Sequence, residues 1–210
     1  MRDLIFDFDG TLVDTGPGII NCVRLTLEHY GLTIPSEQEL RSFVGPPLRV
    51  TFPRHGVPED KVEEAVAYFR RHYATTGKDE CEPYAGIAEA LSQLKAGGMR
   101  LHVGTSKPEH FAHLLLGRFD LKRYFDVIVG AIPDGSRESK TDVLKCVIQN
   151  IGSKAVMIGD THYDVEGAAA LGIPTIGVAW GYEDRESLIK SGAIRVVDTP
   201  AELVKACLNK

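Results

Sequence analysis

Two aspartates stand directly after an apolar run near the beginning of the chain, in the segment LIFDFDGTLVDT. Asp7 directly follows Leu4–Phe6, Asp9 comes two residues after Asp7, and Asp14 comes five residues after Asp9. If the run is a β-strand, Asp7 and Asp9 point to the same side, because successive side chains alternate. Two carboxylates about 4 Å apart would repel each other by about 4 kcal/mol at an effective dielectric constant near 20. We therefore expect a cation, or a proton shared between the carboxylates, to offset this repulsion.

A second apolar run ends in the same way. The segment AVMIGDTHYD places Asp160 at the end of a predicted strand and Asp164 four residues later, at the start of a predicted helix. Open parallel sheets bind their ligands at the carboxyl ends of strands. Mg²⁺ prefers a few hard oxygen ligands, so carboxylates from two neighbouring strands indicate a magnesium site. The alternative for Asp164 is helix capping, because acids are common in a first helical turn.

Two other predicted strand ends carry groups that can bind an anion. The segment LHVGTSKP offers Thr105 and Ser106 before Pro108, a favourable first residue of a helix. A hydroxyl and free backbone amides at a helix N-terminus can bind an anion. Lys140 lies at another predicted helix start, where a cation opposes the helix dipole, so a nearby anion would explain it. The alternatives are an ordinary helix start and a solvated surface lysine.

The apolar runs that precede these groups are short and rich in valine and isoleucine, which is typical of strands buried on both faces. Helical patterns alternate with the runs. Residues 84–96 place Ile87, Leu91 and Leu94 on one face, and residues 140–151 repeat the pattern. This alternation predicts an α/β fold with a doubly wound, mostly parallel sheet and right-handed crossovers.

Residues 16–81 interrupt the alternation. They contain no convincing strand, and apolar residues recur at helical spacing in two stretches, residues 19–30 and 62–73. Several prolines separate the stretches. We predict a small helical module inserted after the first strand, with residues 1–15 and 82–210 forming the core domain.

The composition is that of an ordinary globular protein, with 43% hydrophobic and 25% charged residues. A net charge of −5 argues against a nucleic-acid partner, for which a basic patch is expected. No apolar run approaches the roughly 20 residues of a membrane span, and MRDLIFDFD does not have the pattern of a signal peptide. The scattered cysteines form no CxxC pair, and we expect them to be reduced. The expectation is a cytoplasmic protein with no membrane or nucleic-acid partner.

The segment DFDGT, the strand-end Thr105, Lys140 and the segment GDTHYD together resemble, in order, the four motifs of the haloacid dehalogenase superfamily of phosphotransferases. The helical insertion resembles the small cap of the subgroup that contains phosphoglycolate phosphatases and β-phosphoglucomutases. The segments YAGIAEALSQLKAGG and VAWGYED are similar to that subgroup too. The resemblance implies a Rossmann-like core with an α-helical cap, Mg²⁺ as cofactor and a small phosphorylated metabolite as substrate. It is compatible with a monomer or a homodimer.

The resemblance also implies a role for each acidic residue of the motifs. Asp7 is the expected nucleophile, which forms an aspartyl-phosphate, and Asp9 is the expected general acid and base. The expected Mg²⁺ ligands are Asp7, the backbone carbonyl of Asp9, Asp160 and, through water, Asp164.

The remaining motif residues are expected to hold the substrate. Thr105, Ser106, Gly10 and Lys140 are the expected phosphate-binding residues, and Lys140 would also neutralise Asp7. The cap segment VGPPLRVTF resembles the loop with which such caps reach the substrate. The candidate specificity residues from that loop are Gly45, Pro46, Pro47 and Arg49.

Other members of the superfamily, and one unrelated class, fit the sequence less well. A dehalogenase needs neither a metal nor an acid at the position of Asp9, and a phosphonate hydrolase typically lacks that second acid. A sugar phosphomutase keeps both acids, but usually reads DGV and carries a proline-rich lysine motif unlike ESKTDVL. A phospho-aspartate receiver switch lacks the inserted cap and the acid at Asp9. We therefore expect a magnesium-dependent phosphatase.

The segment PDGSRESK bears on the substrate. It departs from the usual Lys-Pro motif and resembles a 5′-nucleotidase-like branch of the family. We expect activity on nucleoside 5′-monophosphates, with phosphoglycolate as the alternative substrate. Trp180 and Tyr182 are candidates for stacking on a base or for packing against the cap.

Overall fold

A computed structural model describes residues 3–132, 134–152 and 154–208 of the chain. The chain divides into two compact units. One comprises the chain up to Val13 and from Pro83 onward, and the other comprises Asp14–Glu82. No helix in the described ranges is long and apolar enough to span a membrane.

The strands among the described residues are β1 (Asp3–Phe6), β2 (Val13–Asp14), β3 (Glu82–Pro83), β4 (Arg100–Pro108), β5 (Val127–Ala131), β6 (Ala155–Gly159), β7 (Thr175–Val178) and β8 (Arg195–Val197). Six of them form one sheet in the order β5-β4-β1-β6-β7-β8, and all neighbouring pairs in it are parallel. The chain adds β4 and β5 on one side of β1 and β6 to β8 on the other. This reversal confirms the predicted doubly wound α/β fold.

The helices of the first unit connect these strands. They are α5 (Ile87–Ala96), α6 (Glu109–Arg118), α7 (Lys140–Ile151), α8 (His162–Ala169), α9 (Arg185–Lys190) and α10 (Pro200–Leu208). Their apolar faces pack on the sheet. Val143 and Val147 of α7, for example, lie in one buried cluster with Ile5 of β1 and Met157 of β6. Burying such a side chain stabilises the fold by roughly 1.5–3 kcal/mol, and β1 is buried along its whole length.

The second unit is helical, with α1 (Gly16–His29), α2 (Glu37–Arg41), α3 (Leu48–Arg54) and α4 (Val62–Thr75). Its core includes Val23 and Leu27 of α1, Phe52 of α3 and Phe69 of α4. The short strands β2 and β3, at which the chain passes from one unit to the other, pair as a two-stranded sheet. The assignment of residues 16–81 as a functional cap stays a prediction.

Two helix starts differ from the sequence predictions. Helix α5 begins at Ile87 rather than residue 84, because Gly86 has φ +83°, outside the helical region. Helix α6 begins at Glu109, and Pro108 caps it with an extended ψ of 128° instead of being its first residue. Strand β4 continues to Pro108, which pairs with Ala131 after a shift in register. Thr105 and Ser106 therefore lie on the last part of a strand and not at a helix N-terminus.

Candidate active site

Three aspartates meet where β1 and β6 end. The two strands are parallel neighbours with Phe6 opposite Ile158, and the amide of Asp7 donates to the carbonyl of Ile158 at 2.9 Å. Asp7 and Asp160 are the residues that follow these strands. Asp164, in the first turn of α8, completes the group. One carboxylate oxygen from each of the three lies within 4.8 Å of those of the other two, and all three residues are buried.

Lys140 is the cation of this group. It is the first residue of α7, and its ammonium nitrogen lies 2.6 Å from Asp7 Oδ1 and 2.8 Å from Asp164 Oδ1. The same nitrogen donates to the carbonyl of Gly104 at 3.1 Å. Only 5% of the side chain is exposed, so Lys140 is not a solvated surface lysine. Its position at a helix start is explained by the two carboxylates that it contacts.

Burial and mutual repulsion shift the pKa values in this group. Burial is the largest cause that raises the pKa of Asp7 to about 7, and Asp164 adds to it while Lys140 opposes it. Burial and repulsion from Asp164 and Asp7 also raise the pKa of Asp160 well above its ordinary value. Burial lowers the pKa of Lys140, but Asp164 and Asp7 outweigh this effect, so its pKa is raised. Lys140 is therefore charged at any physiological pH.

The charges of the group fit a divalent cation. Among the described residues, this group brings three buried carboxylates together around one ammonium group, so acidic groups outnumber the cation by two. Burial, together with repulsion among these carboxylates, raises the pKa of Asp7 and of Asp160. Clustered carboxylate oxygens are the ligands that Mg²⁺ prefers, so the donor set suits this ion.

Neighbouring groups fix the orientation of Asp160. The hydroxyl of Thr11 donates to Asp160 Oδ1 at 2.8 Å, and the amide of Tyr182 donates to Asp160 Oδ2 at 3.0 Å. Trp180 Nε1 donates to the carbonyl of Thr11 at 3.1 Å. Trp180 and Tyr182 belong to the loop after β7, and their hydrogen bonds hold the turn after β1 against Asp160. Both residues therefore have a structural role. Their predicted stacking on a base stays untested.

Asp164 caps helix α8, as one of the two sequence alternatives predicted, and it also belongs to the buried acidic group. Its Oδ2 accepts hydrogen bonds from the amide of Thr161 at 3.1 Å and from the hydroxyl of Thr161 at 3.0 Å, as a helix-capping acid does. Its Oδ1 is the oxygen that contacts Lys140. One carboxylate therefore anchors the start of α8 and contributes to the buried acidic group. Its role toward a metal stays a prediction.

Gly10 allows the turn after β1 to approach Asp160 closely. Its φ is +80°, and a Cβ at this position would lie 2.1 Å from Asp160 Oδ2. Its amide donates to the carbonyl of Val13 at 2.9 Å within the turn. The structure thus places Gly10 beside the acidic group, while its predicted contact with phosphate stays a prediction.

The carboxylate of Asp9 lies apart from the three-aspartate group. In the described part of the chain, its Oδ1 accepts a hydrogen bond from the ammonium group of Lys107 at 2.9 Å. Lys107 is buried near the end of β4. The sequence pattern did not reveal a separate role for Lys107, although a lysine at the end of a buried strand is a signal for one. Repulsion between Asp7 and Asp9 is the smallest of the causes that raise the pKa of Asp7.

Thr105 and Ser106 precede Lys107 on the same strand. Thr105 is buried, and its hydroxyl oxygen accepts a hydrogen bond from the amide of Lys107 at 3.2 Å. Ser106 is half-buried. Lys140 is tied to this strand through the carbonyl of Gly104, so the predicted phosphate-binding side chains belong to connected elements.

The loop before α7 positions Lys140. Arg137 Nε donates to the carbonyl of Gly130 at 2.7 Å, and the guanidinium group also pairs with Glu109. Ser139 caps α7 by accepting a hydrogen bond from the amide of Asp142 at 3.1 Å. Arg137 thus gives the unusual segment PDGSRESK a structural role that the sequence did not reveal. Pro133, the first residue of that segment, lies outside the described residues.

The candidate specificity residues lie in the helical unit. Gly45 has φ +107°, Pro46 is buried, and Pro47 caps α3. Arg49 forms two hydrogen bonds with Glu63, from Nε at 2.5 Å and from Nη2 at 2.9 Å. Arg49 therefore has an acidic partner within its own unit, and its role toward a substrate stays a prediction.

Comparison with known proteins gives consistent matches. The model of the haloacid dehalogenase-like hydrolases matches residues 4–178. The crystal structure of a predicted phosphatase from Clostridium acetobutylicum superposes with a TM-score of 0.95 at 37% sequence identity, covering 100% of this chain and 99% of that one.

Three curated relatives carry different names. The chain is 41% identical to the tyrosine-protein kinase PtkA of Mycobacterium tuberculosis over 182 residues, which cover 85% of this chain and 62% of that protein. It is 35% identical to a 5′-nucleotidase of Pseudomonas aeruginosa, covering 89% of this chain and 86% of the relative. It is 33% identical to a phosphoglycolate phosphatase of Aquifex aeolicus, covering 100% and 98% of the two chains. The chain therefore spans less than two thirds of the kinase's length.

Proposed function

We propose that this chain, which belongs to the haloacid dehalogenase-like hydrolase family, is a phosphatase. It would hydrolyse small phosphomonoesters through an aspartyl-phosphate on Asp7, with Mg²⁺ as cofactor. The observation that carries this proposal is the buried group of three aspartates around Lys140 at the ends of β1 and β6. Such a concentration of buried negative charge costs stability. It fits a site that binds a divalent cation and a phosphoryl group together.

Mg²⁺ would be held by Asp7, Asp160 and the backbone carbonyl of Asp9, with Asp164 acting through water. When bound, the ion neutralises the carboxylates and the negative charge of a phosphoryl group. The uncatalysed hydrolysis of phosphate monoesters is among the slowest reactions that enzymes accelerate. Most of the acceleration must come from positioning and charge neutralisation, which this group of residues can supply.

The first half-reaction transfers the phosphoryl group to Asp7. A carboxylate oxygen of Asp7 attacks phosphorus, the bond from phosphorus to the leaving oxygen breaks, and Asp9 donates a proton to that oxygen. Lys140 favours the ionised form of Asp7 against the effect of burial, and it would neutralise charge on the phosphoryl oxygens. Thr105, Ser106 and Gly10 would bind those oxygens.

The second half-reaction returns the enzyme to its starting state. Asp9 accepts a proton from a water molecule as the water oxygen attacks phosphorus. The bond between phosphorus and Asp7 then breaks, and inorganic phosphate leaves. Each carboxylate ends the cycle in the protonation state in which it began.

We propose nucleoside 5′-monophosphates as the substrate class. The segment PDGSRESK resembles the 5′-nucleotidase-like branch, and a relative of 35% identity is named 5′-nucleotidase. Phosphoglycolate is the second candidate, because the relative named phosphoglycolate phosphatase from Aquifex aeolicus aligns over the whole chain. Protein tyrosine phosphorylation is not proposed, since the kinase relative extends well beyond this chain. A cytoplasmic location and a monomeric or homodimeric state stay predictions.

The test compares phosphate release from a nucleoside 5′-monophosphate and from 2-phosphoglycolate at the same Mg²⁺ concentration, with and without EDTA. We expect hydrolysis that stops with EDTA and a higher kcat/KM for the nucleotide. A higher kcat/KM for phosphoglycolate would reverse the choice of substrate. Full activity in metal-free buffer would contradict the role of Mg²⁺.

A further inference from the structure

A second buried lysine lies beside the proposed general acid. Lys107 stands near the end of β4, with 3% of its side chain exposed. Its ammonium nitrogen is 2.9 Å from Asp9 Oδ1 and 5.3 Å from the centre of the Phe8 ring. None of the roles assigned above to the acidic group or to phosphate binding uses this side chain.

Burial makes the contact with Asp9 important for both residues. A buried ammonium group without a hydrogen-bond acceptor is strongly destabilising, so the hydrogen bond from Lys107 to Asp9 matters to the fold as well as to the site. The amide of Lys107 also donates to the hydroxyl of Thr105, which fixes the backbone from which the side chain extends. The hydrogen bond to Asp9 therefore originates from a rigid strand.

We propose that Lys107 is the positioning residue for Asp9, an inference that rests on the proposed phosphatase function. By donating a hydrogen bond to Oδ1, Lys107 orients the carboxylate of Asp9 for proton exchange with the leaving group. It also holds this carboxylate apart from the group formed by Asp7, Asp160 and Asp164. Asp9 is thereby kept for proton transfer to the leaving group instead of joining the three acidic side chains.

The alternative is that Lys107 binds the phosphoryl group directly, as proposed for Lys140. The two possibilities predict different kinetics. If Lys107 acts through Asp9, its loss should lower kcat/KM more for a substrate with a poor leaving group than for one with a good leaving group, because only the poor leaving group depends on the proton from Asp9. A residue that binds phosphate affects every phosphomonoester alike, and its loss adds to the loss of Asp9.

The experiment measures kcat/KM in Mg²⁺ buffer for p-nitrophenyl phosphate, which has a good leaving group, and for phenyl phosphate, which has a poorer one of similar shape. The variants are Lys107→Met, Asp9→Asn and the double variant. We expect Lys107→Met to lower kcat/KM for phenyl phosphate by about 10²-fold, within the range for lost acid–base catalysis, and for p-nitrophenyl phosphate by much less. In the Asp9→Asn background, Lys107→Met should have almost no further effect. Equal losses for both esters and additive losses in the double variant would overturn the proposal.

Two control variants distinguish a positioning role of Lys107 from a nonspecific effect of substituting a lysine. Lys107→Arg keeps a cation that can donate to Asp9 and should retain most of the activity. Lys95→Met breaks a surface ion pair with Asp126, whose N–O distance is 3.0 Å, and should leave both esters unaffected.

Thermal unfolding supplies a measurement that does not depend on activity. We expect Lys107→Met to lower Tm strongly on its own and much less in the Asp9→Asn background, because the double variant leaves no buried unpaired charge. Equal Tm losses in the two backgrounds would show that the pair is not coupled and would overturn the proposal. A wild-type protein that hydrolyses neither ester would instead contradict the phosphatase mechanism, while this cycle would still test the pairing.

Discussion

At the scale of single residues, the buried charges form two separate sets. Lys140 contacts Asp7 and Asp164, and Lys107 contacts Asp9. The second set joins one carboxylate to one lysine, whereas the first, with Asp160, joins three carboxylates to one lysine. The carboxylate proposed for proton transfer therefore contacts a different lysine from the carboxylates proposed to attack phosphorus and to bind metal.

Removing the cation of the first set should abolish most of the activity. We expect Lys140→Met to lower kcat for p-nitrophenyl phosphate by about 10²–10³-fold, the loss typical of a group that stabilises transition-state charge. The control is Lys145→Met, which lies on the same helix but is exposed and pairs with Asp142. Unchanged kinetics in Lys140→Met would show that the buried lysine has no catalytic role.

The raised pKa values predict how Mg²⁺ affects stability at different pH. Burial raises the pKa of Asp7 from 3.8 to about 7, and that of Asp160 is raised too. At a pH between the ordinary and the raised pKa, the carboxyl groups of Asp7 and Asp160 keep their protons in the metal-free folded protein, whereas the unfolded chain has released them. The free energy of unfolding of the metal-free protein therefore falls as pH rises through this window. Mg²⁺ replaces those protons, so the Tm increase that it causes should be small near about pH 5 and large near about pH 7.5.

The measurement is thermal unfolding with EDTA and with Mg²⁺ across that pH range. As a control, Glu166→Gln removes an exposed acid from α8, only two residues from Asp164, and should leave the Mg²⁺ effect intact. Asp160→Asn should reduce it at every pH. A Tm that does not respond to Mg²⁺ near neutral pH would contradict the proposed metal site.

At the scale of elements, the turn after β1 controls the geometry of the acidic group. Gly10 combines a positive φ with a contact distance that no Cβ could occupy beside Asp160. Gly172 also has a positive φ, +67°, but a Cβ added there would have no described atom within 4 Å. Alanine substitutions at these two glycines therefore distinguish the effect of backbone strain, which both share, from the steric displacement of Asp160, which only Gly10→Ala causes.

We expect backbone strain to cost Gly10→Ala and Gly172→Ala about 1–2 kcal/mol of stability each. The clash with Asp160 should add a further loss in Gly10→Ala alone. Only Gly10→Ala should also lose Mg²⁺-dependent activity, because it must move Asp160 or the turn. Phosphate release and Tm, measured on both variants, test this difference. Equal activity in the two variants would indicate that the close approach of Gly10 is not needed.

The strands that carry the site were predictable because their apolar runs are unmistakable. The sequence placed Asp7 and Asp160 at the ends of β1 and β6, and the structure brings them together there. It did not predict β8, a three-residue edge strand that includes the exposed Arg195. The helix pattern also failed to locate the starts of α5 and α6, because backbone conformation at Gly86 and pairing of Pro108 with Ala131 decide them.

The types of residue in the site were predictable, but their pairing was not. The expected repulsion between Asp7 and Asp9 required a cation or a shared proton, and the sequence offered no way to choose Lys107 as the partner of Asp9. That partnership depends on the register shift that extends β4 beyond Gly104. Long-range contacts such as that of Trp180 with Thr11 likewise depend on the complete fold.

At the scale of the whole molecule, the chain consists of an α/β unit, which carries the buried acidic group, and a helical unit. We expect the helical unit to set selectivity among esters, and Arg49 to contribute to it. Arg49→Met should change the ratio of kcat/KM for a nucleoside 5′-monophosphate to that for 2-phosphoglycolate. The matched control is Arg24→Met, which removes another arginine–glutamate pair of the same unit, formed with Glu37. The same substrate ratio in both variants and in the wild type would argue against a specificity role for Arg49.

The central claim, covalent catalysis by Asp7 in a phosphatase, is tested most directly by acid quench during turnover of p-nitrophenyl phosphate with Mg²⁺. Mass spectrometry of the digested protein then locates any bound phosphoryl group. We expect one phosphoryl group on the peptide that contains Asp7, more of it in Asp9→Asn, where hydrolysis of the aspartyl-phosphate is slowed, and none in Asp7→Asn. Phosphate release by the wild type while Asp9→Asn accumulates no phosphoryl group on that peptide, or accumulates it on another residue, would contradict the mechanism.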